Sequence, residues 1–180
     1  YVDSNGNTPD FPKPYRTMES KIKREQRKLS RKEKGSKNYE KQRIKLAKQH
    51  AKTKHLRNDV LHKLSCTLTD RYDLIAIEDL DMSAIKRSLR FGKSASDNGW
   101  GMFTDMLSYK AKRKGKQLVK VDRWFPSSKT CSHCGHIHKE LRLSDRIYLC
   151  PKCGHTMDRD QQAAQNIVKE AKRMLLNTAF

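Results

Sequence analysis

Apolar residues recur along this chain in two rhythms. One is a spacing of three and four. It is sparse at Met18, Ile22 and Leu29, within a basic stretch from Met18 to Lys34 that Thr17 can cap. Gly35-Ser36 interrupts it, and Ser36 can cap a longer helix running to about Asp70. Its apolar stripe is Tyr39, Ile44, Leu46, Ala47, Ala51, Leu56, Val60, Leu61, Leu64 and Leu68, and Cys66 reads as a buried small hydrophobe on it. The same rhythm returns from Trp100 to about Lys114 through Phe103, Met106, Leu107 and Ala111, where Gly115 stops it. It returns once more from about Gln161, through Ala163, Ala164, Ile167, Val168, Ala171 and Leu175.

The other rhythm is a short unbroken apolar run. Leu74-Ile75-Ala76-Ile77 ends in Glu78-Asp79, and Gln117 to Asp122 repeats the pattern with Leu118, Val119 and Val121. Such runs fit strands buried on both faces, as in parallel sheets. Strand, helix, strand in this order predicts a right-handed crossover and a parallel pair. Functional groups in such sheets stand beyond the carboxyl ends of the strands, which is where Glu78 falls. On this stretch alone an ordinary polar strand end is an equal reading. At the start, Tyr1 to Gly6 reads as a strand entering a turn at Ser4-Asn5-Gly6-Asn7. Pro9, Pro12 and Pro14 then exclude a central strand or helix interior until about Tyr15. Leu80 to Lys93 is a basic connection, and Ser96-Asp97-Asn98-Gly99 has loop and cap chemistry.

Charge changes the picture most. The 180 residues suffice for one domain with a small insert, and 40 Lys+Arg against 20 Asp+Glu give a net charge of +20. Such an excess seeks a polyanion, nucleic acid first, with salt-dependent binding. Both early helices are basic. Lys41, Lys45, Lys48 and Lys52 lie on the second, with Lys37, Arg43, Lys54 and Arg57, and Arg87 and Arg90 follow in the connection. A phosphate-tracking surface is the expectation, a merely solvated face the plainer one. A lipid surface is disfavoured because these helices lack a broad Trp/Phe/Leu face. Charge alone also admits a histone-like or ribosomal protein. Hydrophobic content is 35%, so part of the chain is expected to fold on or around a partner. No apolar h-region opens the given sequence and no apolar run of about 18 residues occurs in it, so an intracellular protein without a membrane partner is expected.

The cysteines bring specific chemistry. Cys131-Ser132-His133-Cys134 and Cys150-Pro151-Lys152-Cys153 are two CxxC knuckles separated by fifteen residues, each followed by a glycine, Gly135 or Gly154. Four thiolates at this spacing predict a closed tetrahedral zinc site, the knuckles being joined through a hairpin-like stretch from Leu141 to Leu149. A disulfide pair is the alternative and needs a secreted context. His133, His136, His138 and His155 are read as surface or phosphate contacts, since four cysteines already fill a tetrahedron. Asp158-Arg159-Asp160 then opens the last helix, where acids also suit the helix dipole.

Taken together, Ile77-Glu78-Asp79-Leu80, Ser96-Asp97-Asn98-Gly99-Trp100, Phe125-Pro126-Ser127-Ser128-Lys129-Thr130-Cys131, the second knuckle, and Asp158-Arg159-Asp160 with Ala163-Ala164 and Asn166-Ile167 carry a resemblance. From about Tyr1 to Ala171 the chain resembles the C-terminal RuvC-like nuclease and zinc ribbon of the TnpB/OrfB proteins of insertion sequences, relatives of the type V CRISPR effectors. The resemblance implies an α/β, ribonuclease-H-like (RuvC) mixed sheet with helices, an inserted four-cysteine zinc ribbon and a long basic helical pair. Residues 1–125 would be the nuclease core with the helical hairpin at about 17–70, residues 126–157 the ribbon, and 158–180 the final helix. The implied activity is RNA-guided, metal-dependent DNA cleavage in the prokaryotic cytoplasm, at the nucleoid. Glu78 matches the family's second acid, Asp160 the third and Asp158 an accompanying acid, around Mg²⁺ or Mn²⁺. Cys131, Cys134, Cys150 and Cys153 match the ligands of a structural Zn²⁺. Lys129 and the ribbon, with the basic helices, would hold target DNA and guide RNA. The family's first acid lies on a strand upstream of the segment matched by Tyr1, as do its RNA-binding domains. The chain is therefore expected to be a C-terminal portion that alone cuts weakly or not at all. Gln162 departs from the family's usual Asn. A guided binding module without catalysis and a strand-joining transposase are the alternatives.

Overall fold

The computed structural model describes residues 1–10, 12–84, 99–142 and 144–178. They fall into two compact units, one of Phe11–Thr67 and Met82–Leu107, the other of Tyr1–Asp10, Leu68–Asp81 and Ser108–Phe180.

The first unit is helical. Helix α1 (Pro14–Ser30) and helix α2 (Lys37–Arg71) are separated by a turn in which Gly35 has φ +85. Pro14 stands in the first turn of α1, where its fixed φ is suited and its missing N–H costs nothing. The helix thus starts a turn earlier than Thr17 suggests. Thr17 is no cap: it lies inside α1 and its Oγ1 donates to the Lys13 carbonyl at 3.1 Å. Ser36 does cap α2, its Oγ accepting the Tyr39 N–H at 3.1 Å.

The buried side of α2 is not the expected stripe. Gln42, Thr53, Leu61, Ser65 and Thr69 are buried, whereas Ile44 and Leu56 are 50% and 44% exposed, and Ala47, Ala51 and Cys66 are exposed. Hydroxyls can be buried here because they return a hydrogen bond one turn back, Thr53 to the Gln49 carbonyl at 3.0 Å and Ser65 to the Leu61 carbonyl at 2.7 Å. Gln42 donates to α1 instead, to the Glu25 carbonyl at 3.2 Å and its carboxylate at 2.7 Å. Cys66 is one residue off this four-residue ridge and so points away from it. Helix α3 (Trp100–Arg113) adds buried Phe103 and Leu107 to this unit. Gly99 (φ +60) precedes it so closely against α2 that a Cβ would stand 2.9 Å from Leu61 Cδ1. The expected cap at Ser96-Asp97-Asn98 lies outside the described residues. At the other end, Gly115 (φ +64) ends the helix as expected, and the Lys116 N–H bonds back to the Ala111 carbonyl at 2.8 Å.

The second unit holds the sheet. Strands β1 (Leu74–Glu78) and β2 (Gln117–Val121) pair in parallel, in register from Leu74↔Gln117 to Glu78↔Val121. Ile75, Ile77 and Val121 are buried, and α4 (Arg159–Thr178) packs on both strands. Strands β3 (Ile147–Leu149) and β4 (Thr156–Asp158) pair antiparallel across the second cysteine knuckle. The hairpin is therefore built around Cys150–Cys153 and not within Leu141 to Leu149, because the knuckle itself is the tight turn. Tyr1–Asp3 forms no strand. The expected turn is present, but the Asp3 carboxylate closes it, accepting the N–H groups of Asn5 at 2.9 Å and Asn7 at 2.8 Å. Among the described residues no helix is long and apolar enough to cross a membrane.

Candidate functional site

Glu78 ends β1 opposite Val121, at the carboxyl edge of the parallel pair. It is half-buried, and burial pushes its carboxyl above the usual carboxylate range. Among the described residues no cation or hydrogen-bond donor answers it. Its neighbour Asp79 is engaged, with Arg123 at 3.5 Å and Lys120 at 3.8 Å, and the second arm of Arg123 reaches Asp81 at 3.6 Å. The two acids of Glu78-Asp79 thus divide: one is neutralised by β2 and its continuation, the other is left without a counter-charge. Nothing in the sequence around Arg123 singles it out, and only the strand register gives it a role.

Asp158 and Asp160 sit where β4 turns into α4. Asp158 Oδ1 accepts the N–H groups of Asp160 at 2.9 Å and Gln161 at 3.0 Å, so this acid caps the helix. Asp160 is exposed, and its carboxylate has no protein partner among the described residues. Glu78, Asp158 and Asp160 are not gathered into a group of three metal ligands; among the described residues only the cysteines are. Asp3, at the other end of the chain, is no substitute acid. Partial burial pushes its carboxyl up, but hydrogen bonds from Asn7 and Asn5 outweigh this and leave it below the usual range. Its turn rests on α4, with a Gly6 Cβ position 3.1 Å from the Gln161 side chain and Gln165 Nε2 donating to the Ser4 carbonyl at 3.4 Å.

The four sulfurs of Cys131, Cys134, Cys150 and Cys153 lie within 4.8 Å of one another. Cys131 and Cys153 are 3.7 Å apart and Cys134 and Cys150 3.6 Å. A disulfide needs about 2.05 Å. Sulfurs about 2.3 Å from a central ion in a tetrahedron would be about 3.8 Å apart, so the set fits a closed thiolate metal site. Crowded thiols cannot all ionise unaided. Burial raises Cys150, but the N–H groups of Cys153 and Lys152 outweigh it and hold that thiol down to about 6. Cys153 receives the His155 N–H, yet desolvation and the neighbouring sulfurs drive it up to about 12. Leu141 and Tyr148 complete a small core with the buried cysteines.

This ribbon is fastened to α4 by side chains that sequence periodicity does not pick out. Asn166 Nδ2 donates to the Ser127 carbonyl at 2.8 Å and the Thr130 carbonyl at 2.6 Å. Arg159 donates to the Arg142 carbonyl at 2.9 Å and to Ser128 Oγ at 3.3 Å. Gln162 is fully buried; its Oε1 accepts from Ser132 Oγ at 3.3 Å, while its Nε2 has no partner among the described residues. The histidines are more engaged than expected. His155 meets Ser132 Oγ at 3.3 Å and stacks with His133 at 5.8 Å, and His138 packs edge-on to Tyr148 at 6.1 Å.

Lys41, Lys45, Lys48 and Lys52 are exposed along one side of α2, and among the described residues none is paired with a carboxylate. Lys129 lies within the ribbon and donates to the Lys139 carbonyl at 3.0 Å. Arg87 and Arg90 lie outside the described residues.

Known proteins match this chain over most of its length. The OrfB IS605 family model, described as a probable transposase, matches residues 1–89, and the Cas12f1-like TNB domain model matches residues 100–167. A Streptomyces pristinaespiralis protein named as an RNA-guided DNA endonuclease is 40% identical over 92% of this chain and 41% of its own length. The Escherichia coli protein InsQ, of the same description, is 31% identical over 96% of this chain and 46% of its own. The mimivirus TnpB-like protein L79 is 33% identical over 69% of the chain and 24% of its own. The chain thus spans less than half the length of these curated relatives. A solved Cas12f1–sgRNA–target DNA complex shares the α/β fold, with a TM-score of 0.59 at 21% identity over 84% of this chain and 40% of that one. The parallel pair ending in Glu78, the four-cysteine ribbon and these matches place the chain in the TnpB/OrfB family.

Proposed function

We propose that this chain carries the sheet-edge half of the catalytic centre of an RNA-guided DNA endonuclease of a transposable element. The observation that carries the reading is Glu78, a half-buried carboxylate at the carboxyl end of a parallel strand with no counter-charge among the described residues. Leaving a carboxylate partly desolvated and unpaired is costly unless a cation answers it. Glu78 and Asp160 would hold the catalytic divalent ion through hard oxygens, which suit Mg²⁺ or Mn²⁺. Such ions supply an activated water and charge neutralisation for in-line phosphodiester hydrolysis. Asp158 holds Asp160 in place by capping α4. A further carboxylate, supplied from elsewhere in the full-length protein, would complete the ligand set. The cysteines would hold a structural Zn²⁺, and the lysine row of α2 with the ribbon would bind guide RNA and target DNA through phosphates.

The test uses the full-length protein encoded with this chain, its transposon-end RNA, matched DNA and Mg²⁺. Glu78→Gln and Asp160→Asn should each abolish cleavage while target binding persists. Cleavage undiminished in both variants would refute the assignment, and joined DNA products would favour a transposase.

A further inference from the structure

β2 does not end at a simple loop. Beyond Val121, which pairs with Glu78, the chain folds back through Asp122, whose carbonyl accepts the Phe125 N–H at 3.0 Å. The Asp122 carboxylate also accepts the Trp124 N–H at 2.7 Å. Both bonds fix the backbone that carries Trp124. Trp124 is nevertheless 84% exposed, the most exposed of the chain's large hydrophobic residues among the described residues. Leaving so large an aromatic surface in water is unfavourable, and the pinned turn holds it ready for a partner. Three residues span at most about 11 Å and paired strands stand about 4.8 Å apart, so the indole is rooted within a few nucleotide lengths of Glu78. The residue before it is Arg123, which with Lys120 of β2 is paired with Asp79.

We propose that Trp124 is a stacking platform for an unpaired base of single-stranded nucleic acid that passes the carboxyl edge of the sheet. The occupant is nucleic acid because a chain of net charge +20 favours a polyanion as partner, and because any base offers an indole a flat apolar face. The platform rests on the proposed nuclease function and adds to it a device that holds the strand, independent of sequence, beside the carboxylate that would act on it.

The chain contains two tryptophans, so indole emission reports on the site directly, and Trp124→Ala identifies its share. Titrating an oligothymidylate into the full chain should quench emission, and Trp124→Ala should remove that quenching. The variant should lower affinity roughly 5- to 150-fold, the range for loss of one stacked base. Trp124→Phe should retain most of the affinity. The salt dependence of binding should keep its slope, since no charge is removed. In a parallel arm the wild-type chain is titrated with an abasic oligomer of equal length, which should bind with little quenching. Equal affinity and quenching by abasic and base-bearing strands, or unchanged affinity in Trp124→Ala, would overturn the platform while leaving the nuclease reading standing. Absence of nucleic-acid binding by the wild-type chain would likewise overturn the platform, while loss of cleavage in the full-length protein tests the nuclease reading separately.

Discussion

Asp158 distinguishes two kinds of acid at the start of α4. Its Oδ1 is the acceptor for two of the helix's otherwise unpaired N–H groups, those of Asp160 and Gln161. Replacing a capping Asp by Ala costs about 0.5–2 kcal/mol, and the lost charge at the helix N-terminus belongs within the same range. Neither β4 pairing nor the backbone bond from the Arg159 N–H to the Arg146 carbonyl involves the side chain, so the loss should stay local to the first turn. Asp158→Ala should therefore raise the hydrogen-exchange rate of the Asp160 and Gln161 amides about 5- to 30-fold, the equivalent of about 1–2 kcal/mol. Asp158→Asn and Asp158→Ser keep an acceptor and should restore most of the protection. In a cleavage assay of the full-length protein, Asn should likewise rescue what Ala loses. If Asp158→Asn abolished cleavage as fully as Glu78→Gln, with exchange unchanged, Asp158 would be a metal ligand and the capping argument for its role would fail.

Burial raises the Glu78 carboxyl above its ordinary value of 4.5, so the folded state holds this proton more tightly than the unfolded one. Stability is then lost as pH rises from the unfolded value through the folded one; Glu78→Gln should melt above wild type at pH 7, with the gap closing below about pH 4.5 in a series of thermal melts and narrowing when Mg²⁺ is added. Cys150→Ser, or a zinc chelator, should remove one zinc per chain by metal analysis and release the protection of the Tyr148 amide, because the ribbon core is otherwise little more than Leu141 and Tyr148. Asn166→Ala should orphan the Ser127 and Thr130 carbonyls and shift the denaturant midpoint by the equivalent of about 1–3 kcal/mol for each bond left unmade.

What is legible in the sequence, and what is hidden, follows from how each feature is stabilised. The β1 run, its parallel partner and the cysteine ribbon are readable because each rests on a pattern with few competitors: unbroken apolar residues, strand-helix-strand order, and two knuckles at metal-ligand spacing. Gln42, Thr53, Ser65 and Thr69 are invisible to a search for apolar stripes. Gln42 apart, a spacing of four along Thr53, Arg57, Leu61, Ser65 and Thr69 is the available signal, since small hydroxyls that bond back to their own helix can be buried at little cost. Ile44 and Leu56 are correspondingly misplaced by periodicity, their apolar character outweighed by a ridge that fits more closely. The same limit applies to α4. Its alanine stripe is legible, but Gln162 and Asn166 are among its most buried side chains, and they face the ribbon, whose loop groups carry no periodicity.

Glu78 and Asp158 show the limit most sharply, because residue type and position suggest similar tasks for both. Asp158 has its acceptor used by its own helix, and Asp79 has its charge answered by Arg123 and Lys120. Those bonds depend on strand register and on cap geometry, neither of which is a property of a single residue. Of Glu78, Asp79, Asp158 and Asp160, the two left without a protein partner among the described residues are Glu78 and Asp160, one at the end of a strand and one in the first turn of the helix that packs on it. Two oxygen donors cannot enclose a hexacoordinate ion, and water and substrate oxygens are the ligands such ions retain. If these two acids hold the ion as proposed, a site left this open suits a cation that arrives with a phosphodiester, and metal affinity should rise when a nucleic-acid strand is present. Isothermal titration of Mn²⁺ with and without a bound phosphorothioate oligomer measures that coupling. Equal affinity in both conditions would mean that the two carboxylates do not share an ion with the strand.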